Sequence, residues 1–430
     1  MDTPQDAASD LQDDTPETAV WNARASLAVL FLAVVAGWSL LNLYTQGPRI
    51  ADGLSGAATP DSYRAVRALF KKGGTLVDEN VLGKPEAWDM HARIEASLGK
   101  SAMNNMAVIK GPDGRLFRGG LYSIPVNNAA ALAVDVAALA EAAGERDIGI
   151  LCLGTPDTVV KGAGNLPDGM PYLDYNAAVD AFLFTLRERG VPFLDSRHDF
   201  AASRMPPGGI ISKTGFLLTG EAAFFLFTRL VDVLEDRFSL RLDPERFYRD
   251  RANYTVTDYP RFFMGQLGKE TGSAFAGLDD FAAFSPAFDT EFHIEGVDMF
   301  GNAIAATGDA EDTLLNPDAF VYYDNLYNLY PEGYYVHTNA AWSRIVNPRN
   351  PAGPKLLVVH DFYTAQLIGH LAPMCSEIHT MTYRENYSIN ALDYIRDKDF
   401  DCIVVAFFPQ NLLLPQSRVL VLGEEGMRTE

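Results

Sequence analysis

Two segments of the chain place a carboxylate beside a histidine. Asp195 and His198 flank a Ser-Arg pair, and His360 directly precedes Asp361. A histidine that takes a proton from a hydroxyl, with a carboxylate to orient its ring, activates a nucleophile for acyl transfer. A His-Asp pair can also serve in general acid–base chemistry or hold a metal ion. Both segments are therefore candidate sites.

Each pair also has a structural interpretation, which we favour. Side chains within four residues of one another on the exit of a strand diverge, so Asp195 and His198 are not expected to form a triad with the serine between them. Asp361 would cap the N-terminus of a following helix, and His360 would end the preceding strand. These four residues are secondary candidates.

A segment rich in tyrosine, asparagine and aspartate has a composition that suits sugar binding. Its tyrosines of interest are Tyr322, Tyr323, Tyr327 and Tyr330. Aromatic faces beside amides and carboxylates can stack on a sugar ring and bond its hydroxyls. Packing of the rings inside the protein is the alternative that we favour, because it is the more frequent use of tyrosine.

No motif in the sequence predicts a metal or a cofactor. The acidic loop of Asp309, Glu311 and Asp312 lacks the Asp-x-Asp-x-Asp-Gly spacing of a calcium loop. The three cysteines lie in or beside apolar runs, without a Cys-x-x-Cys pair, and are interpreted as buried thiols. We expect no cofactor.

The charge of the chain excludes one class of partner. Its formal net charge is −21 at pH 7, and such a surface repels nucleic-acid phosphates. It also argues against lying flat on an anionic lipid surface. A neutral glycan or an acyl donor is not excluded.

Apolar runs that alternate with helical patterns indicate the fold class. The predicted buried strands are 147–153, 191–195, 355–360, 376–382 and 401–408, separated by predicted helices that include 175–189, 220–238 and 364–371. Short apolar strands with helices between them predict a parallel sheet covered on both faces. Residues from about 240 to 347 break this pattern and are interpreted as a large insertion.

The N-terminal part predicts one transmembrane helix. Residues 25–44 carry no charge and match the span of a hydrocarbon core. Residues 1–24 are an acidic tail of disordered character, 45–62 are a linker, and 63–430 are a water-exposed domain. A cleaved signal peptide would need a basic segment before the apolar one, so an uncleaved anchor, with Arg24 on the inner side, is favoured.

Five short patterns, taken in order, resemble the DHHW family, which is related to the alginate O-acetyltransferases and belongs to the SGNH-hydrolase superfamily. Residues 111–117 (GPDGRLF) resemble the G-x-D-G-W-L-F motif of that family. The others are 155–157 through 166–167, 191–197, 262–272 with 279–290, and the closing part, 355–377 with 393–411. The resemblance implies a flavodoxin-like three-layer α/β/α sandwich with a parallel sheet, located outside the cytoplasm.

At the catalytic positions of the family the sequence departs from the pattern. Phe362 stands where the family has its serine nucleophile, in the sequence His360-Asp361-Phe362 instead of Gly-Asp-Ser. Gly215 and Leu217 stand where it has the aspartate and histidine of its Asp-x-His pair. A ring, a glycine and an aliphatic chain cannot transfer an acyl group or a proton. We expect Phe362 and Leu217 to lie close together and fill the old pocket.

These expectations lead to one preferred function and two alternatives. The preferred function is a catalytically inactive, membrane-anchored protein of polysaccharide O-acetylation, which binds glycan or acts as a scaffold beside a membrane-bound O-acyltransferase that modifies a cell-surface polysaccharide. The first alternative is an active O-acetyltransferase or esterase that uses displaced residues such as His360, Asp361 or His198. The second is a purely structural protein of the cell envelope.

Overall fold

The structure is a computed structural model of the 430-residue chain. It describes residues 16–55, 72–74, 76–77, 81–160, 166–298, 301–320, 325–335, 340–382 and 390–414. The chain divides into two compact units, Met1–Ala87 and Trp88–Glu430.

The first unit contains a long apolar helix, α1 (Pro16–Ser55). Its part Arg24–Asp52 is long and apolar enough to cross a membrane, and the most apolar window in it is not buried. The helix exceeds the predicted span of 25–44, because it begins inside the predicted tail and continues through Pro48. A single proline in an apolar helix removes one backbone donor without ending the helix. A membrane anchor and a signal sequence both have this composition.

The second unit is built on one large sheet. The described strands are β1 (Ala102–Met103), β2 (Val108–Lys110), β3 (Leu116–Arg118), β4 (Gly149–Gly154), β5 (Phe193–Asp195), β6 (Tyr254–Phe263), β7 (Asp279–Pro286), β8 (Phe292–Asp298), β9 (Ala303–Gly308), β10 (Ala340–Val346), β11 (Lys355–His360), β12 (Glu377–Thr382) and β13 (Cys402–Phe407). Eight of these form the sheet in the order β5-β4-β13-β11-β12-β10-β8-β9. The first five run parallel, and β13 is buried along its whole length, as in a sheet covered on both faces.

Helices cover this sheet on both faces. The remaining described α-helices are α2 (Lys84–Ser97), α3 (Val126–Gly144), α4 (Asn176–Glu188), α5 (Ser196–Ser203), α6 (Pro207–Ile210), α7 (Gly220–Phe238), α8 (Gln266–Thr271), α9 (Ser273–Ala276), α10 (Ala310–Thr313), α11 (Gln366–Leu371) and α12 (Ala391–Tyr394). Helices α3 and α4 pack on one face, and α7 and α11 on the other. The predicted three-layer α/β/α sandwich is confirmed.

Alternate residues of each parallel strand feed two separate apolar cores. In β11, Leu356 and Val358 join the core under α7, while Leu357 and Val359 join the core under α3 and α4. This is the period-two pattern of a strand whose side chains point to opposite faces. All buried residues of both cores lie between Ala92 and Leu412. The second unit therefore has its own apolar core, which is the property of a domain that can fold alone.

Part of the predicted insertion belongs to the sheet itself. Strands β10, β8 and β9 extend the sheet beyond β12 in antiparallel order. In β8, Phe292 and Ile294 are buried, while His293 and Glu295 are exposed, which is the alternation of a sheet with one covered face. Residues 240–347 are therefore not a purely separate insertion, and the sheet is mixed rather than parallel throughout. Strands β6 and β7 form a two-stranded sheet of their own.

Candidate functional site

The topology of the sheet indicates where a functional site should lie. After β11 the chain forms β12 on one side of it, and β13 then pairs with β11 on the other side. In open α/β sheets, ligands bind outside the carboxyl ends of the strands, at the point where the strand order reverses. The residues that directly follow β11 and β13, Asp361 and Phe408 onwards, meet at this point.

Asp361 holds the two strand ends together. One of its carboxylate oxygens accepts hydrogen bonds from the backbone N–H groups of Tyr363 (3.0 Å) and Thr364 (3.1 Å). The other accepts from the N–H of Phe408 and from the side-chain amide of Asn411 (2.9 Å). The side chain is fully buried, and burial raises its pKa, although these hydrogen bonds oppose the shift. Asp361 thus caps the turn after β11, and its bonding capacity is used in the fold.

His360 is likewise engaged inside the protein. Its Nδ1 lies 2.8 Å from the carbonyl oxygen of Asp361, and its Nε2 lies 3.1 Å from the hydroxyl of Thr382. A carbonyl can only accept, so Nδ1 carries the proton and Nε2 accepts from the threonine. The ring is fully buried. Its position does not offer a base to a ligand.

Aromatic rings occupy the reversal point of the sheet. Phe216, Phe362, Tyr363 and Phe408 form what we term the aromatic corner. The ring centroids of Phe216 lie 6.2 Å from Tyr363 and 5.6 Å from Phe408, Tyr363 lies 5.1 Å from Phe408, and Phe362 lies 5.4 Å from Tyr363. Pairs at such separations are stabilising contacts.

The aromatic corner brings together the loop 215–218 and the turn after β11. These two segments contain the positions that correspond to the catalytic residues of the DHHW resemblance. Phe216 and Phe408 are buried, and Leu217 is buried in the same apolar core. The side-chain amide of Gln366 in α11 also donates to the carbonyl oxygen of Leu218 (3.2 Å). The loop 215–218 therefore packs against the turn after β11, and the predicted contact between Phe362 and Leu217 themselves stays a prediction.

Gly215 stands where the backbone leaves no room for a side chain. A Cβ atom there would lie 2.8 Å from Cα of Gly265 and 3.0 Å from the backbone nitrogen of Gln266. The close approach is held by Thr214, whose hydroxyl oxygen accepts from the N–H of Gly265 (2.7 Å) while its hydroxyl donates to Asp279 (2.5 Å). An aspartate at position 215 would require the two backbone segments to separate.

Asp195 and His198 lie at the end of β5, away from an available hydroxyl. The side chain of His198 is 87% exposed, and its Nε2 lies 3.5 Å from Asp195. Asp195 caps α5 and accepts two hydrogen bonds of 2.8 Å from Arg197. Burial raises the pKa of Asp195, but the bonds and charge of Arg197 outweigh it and hold the pKa below its ordinary value. The hydroxyl of Ser196 is buried and donates to the carbonyl of Gly154 (2.7 Å).

Solved structures that share this fold include two bacterial proteins that cover most of this chain. PatB1 of Bacillus cereus, solved with a sulfonyl adduct, is 16% identical and has a TM-score of 0.59, with 74% of this chain and 99% of that chain covered. A DHHW-family protein of Eubacterium siraeum is 14% identical and has a TM-score of 0.53, with 73% and 97% covered. The chain has the SGNH-like fold of the DHHW proteins. No family model and no curated protein matches its sequence.

Of the four tyrosines of the sugar-binding prediction, the structure describes Tyr327 and Tyr330. The hydroxyl of Tyr327 donates to Asp89 (2.9 Å), and its ring lies 5.1 Å from that of Trp88. Tyr330 is half exposed, but Nζ of Lys269 lies 3.1 Å from its ring centroid. Tyr322 and Tyr323 lie outside the described residues. These contacts favour the packing alternative for Tyr327 and leave one face of Tyr330 covered.

The described residues contain no cluster of three potential metal-ligating side chains of His, Cys, Asp or Glu. Cys152, Cys375 and Cys402 are buried thiols, as predicted. Burial raises the pKa of each thiol above its ordinary value, so their reactive thiolate forms are suppressed.

Two features of the site were not expected from the sequence. The sequence analysis did not name Phe216, Tyr363 or Phe408 as site residues. An aromatic pair at the end of each of two apolar strands, β11 and β13, indicated two of them. The close approach of Gly215 to Gly265 joins residues that are far apart in the chain, and no local pattern indicates it.

Proposed function

We propose that the chain is a membrane-anchored, extracytoplasmic SGNH-like protein that serves polysaccharide O-acetylation without transferring acyl groups itself. Its role in this proposal is to bind the polysaccharide or to hold it beside a membrane-bound O-acyltransferase. The observation that carries the proposal is the aromatic corner, which stands at the reversal point of the sheet where a nucleophile would need to be exposed.

The chemistry of the corner supports an inactive site. Acyl transfer needs an oxygen or sulfur nucleophile with a base in hydrogen-bond reach. Phe362 has neither a hydroxyl nor a thiol, and Leu217 cannot accept a proton. Gly215 has no space for the carboxylate that would orient a histidine. The nucleophile, the base and the orienting carboxylate are therefore all missing. At Gly215, the close approach of the facing backbone also leaves no room for a carboxylate.

The membrane anchor is supported by α1. Its apolar part is exposed and matches a hydrocarbon core in length. An exposed apolar surface of this size is costly in water, and a bilayer removes that cost. The extracytoplasmic location of the second unit follows from the family resemblance and is part of the proposal.

One observation favours an active esterase as a second candidate. The exposed His198 keeps Asp195 as a partner at 3.5 Å, which is a base with an orienting carboxylate. A substrate-bound water could then replace the missing nucleophile. Substitution of His198 by alanine distinguishes this candidate, because it would abolish turnover without touching the aromatic corner.

Hydrolysis of an aryl acetate by the second unit tests the proposal. We expect the rate of the wild-type protein to equal that of His198→Ala and of buffer. In parallel, a serine-reactive sulfonyl fluoride should leave the intact protein mass unchanged. Turnover that the sulfonyl fluoride abolishes would overturn the proposal, and turnover lost only in His198→Ala would support the second candidate.

Glycan-array binding then separates the remaining roles. Binding without turnover supports a glycan-binding or scaffolding subunit. Neither binding nor turnover would leave a structural protein of the cell envelope as the explanation.

A further inference from the structure

A cavity lies at the carboxyl ends of β4 and β5 and shares no lining residue with the aromatic corner. Its volume is about 500 Å³, and α4 and α5 contribute to its walls. The size falls within the range of small-molecule pockets, and the carboxyl ends of parallel strands are where α/β sheets bind ligands. We term it the β4–β5 cavity.

The lining of the β4–β5 cavity is mainly apolar. Carbon side chains from a loop, a strand and three helices converge on it: Val159, Leu183, Phe193, Phe200 and Ile210. At its edge stands Phe184, which is 62% exposed. A large apolar ring in water is costly unless a ligand covers it. The cavity thus offers contact to an apolar group.

Three carboxylates and one arginine in its wall already have hydrogen-bond partners within the protein. Arg197 donates to both carboxylate oxygens of Asp195 (2.8 Å each) and lies 2.7 Å from Asp180. Asp157 accepts from the N–H groups of Thr158 (2.7 Å) and Tyr175 (3.1 Å). An ionic ligand that entered between these groups would have to compete with their present partners and lose its own hydration.

Two further basic residues line the exposed side of the cavity, Arg187 and His198. His198 is 87% exposed, and its Nε2 lies 3.5 Å from Asp195. Arg187 is exposed and places its guanidinium 5.5 Å from the ring centroid of Phe193. In addition, burial raises the pKa of Asp157 to about 7, so this carboxyl is partly neutral near physiological pH. The interior therefore presents carbon surface with little net charge.

We propose that the β4–β5 cavity binds an uncharged aliphatic chain. The apolar lining supplies the attraction, and the internally paired wall discriminates against a charged head. This inference does not depend on the proposed role in O-acetylation, because it needs neither a nucleophile nor a bound glycan.

Two neighbouring alanines provide a matched pair of variants. Ala201 and Ala202 are consecutive exposed residues of α5, and of the two only Ala201 lines the cavity. Ala201→Trp should fill the opening with an indole, and Ala202→Trp should place the same ring outside it. Both positions are exposed, so neither substitution disturbs the apolar core.

Photolabelling of the full chain in lipid nanodiscs tests the proposal. The probe is a long-chain primary alcohol that carries a diazirine, and adducts are mapped by mass spectrometry. We expect adducts in α4 and α5 of the wild type and of Ala202→Trp, and about tenfold fewer in Ala201→Trp. Adducts on the lipid-exposed α1 serve as an internal reference that all three proteins share.

Competition in the wild type gives a readout that needs no variant. We expect 1-octanol to reduce the α4 and α5 adducts at concentrations where octanoate and octylammonium do not. Equal cavity labelling of the two variants, absence of cavity adducts in the wild type, or stronger competition by either ion would each overturn the proposal. Glycan binding is expected to be unchanged in Ala201→Trp, so the two proposals fail independently.

Discussion

The buried imidazole of His370 makes the stability of the protein depend on pH. A substitution that removes the imidazole should remove this dependence. The side chain is 4% exposed and is surrounded by the rings of Phe224, Phe227, Tyr254 and Phe284, at centroid distances of 5.2 to 5.8 Å. Burial in this apolar shell lowers the pKa of His370 from 6.5 to about 4. The folded protein therefore keeps the ring neutral in mild acid.

The size of the effect follows from the two pKa values. The unfolded chain binds a proton near pH 6.5 and the folded chain only near pH 4, so stability is lost as the pH falls between these values. Because one pKa unit corresponds to ~1.36 kcal/mol, the difference between the two pKa values limits the loss to about 3 kcal/mol. At pH 5, where the folded ring is still neutral, the loss relative to pH 8 is about 2 kcal/mol.

Urea unfolding of the fragment 84–430 measures this loss. His370→Phe keeps an aromatic ring in the same space but does not titrate. At each pH we compare the free energy of unfolding of His370→Phe with that of the wild type. We expect the variant minus wild-type difference to be about 2 kcal/mol more favourable to the variant at pH 5 than at pH 8. His293→Phe, at an exposed histidine, is the control and should show no such change. If the difference in unfolding free energy between His370→Phe and the wild type is the same at pH 8 and pH 5, the titration of His370 does not cause the pH dependence.

Five further substitutions test the packing of the site and one ion pair, each by urea unfolding of the same fragment. Phe408→Ala should cost about 3–5 kcal/mol because the ring is buried, and Phe362→Ala less than half of that because its ring is only partly buried; equal costs would contradict the described corner. Gly215→Ala should cost about 1–3 kcal/mol through its clash with the facing backbone, whereas Gly369→Ala, with open space around it, should be neutral or stabilising. Burial raises the pKa of Glu377, but its bonds to an arginine and a histidine outweigh this and lower the pKa to about 2. Glu377→Gln should therefore lower the free energy of unfolding by about 1–2 kcal/mol at pH 7. This cost should shrink as the pH falls from about 4.5 to about 2. A cost that does not change with pH would show that the ion pair is not its source.

The parallel half of the fold could be predicted because its signals are local. The strand β11 is one unbroken apolar run, and α7 begins at Thr219, whose side chain accepts from the N–H of Ala222 (3.1 Å) as an N-cap does. Patterns of this kind lie within a few residues of one another. Predicted and observed bounds therefore agree closely for these two elements.

The antiparallel extension of the sheet could not be predicted with the same ease. Strands β8 and β9 are half exposed, so neither is a continuous apolar run. They are strands because β9 pairs with β8 and β8 pairs with β10. Strand β10 in turn pairs with β12, which lies beyond β11 in the chain. Such long-range pairing leaves little trace in the local sequence.

The site could be predicted in its chemistry but not in its shape. The identities of Phe362 and Leu217 already exclude acyl transfer by these side chains. That Phe216 and Phe408 meet at the reversal point of the sheet depends on the assembled fold. The β4–β5 cavity likewise arises between elements, because residues from β5, α4 and α5 each contribute one side of it.

We propose that no side chain of the second unit forms a covalent acyl intermediate. Incubation of the second unit with an activated acetyl donor, followed by an acid quench and measurement of the intact protein mass, decides this. We expect an unchanged mass, also in the presence of saccharide acceptors. An acid-stable acetyl adduct on one side chain near the ends of β11 or β5, lost when that residue is substituted, would contradict it.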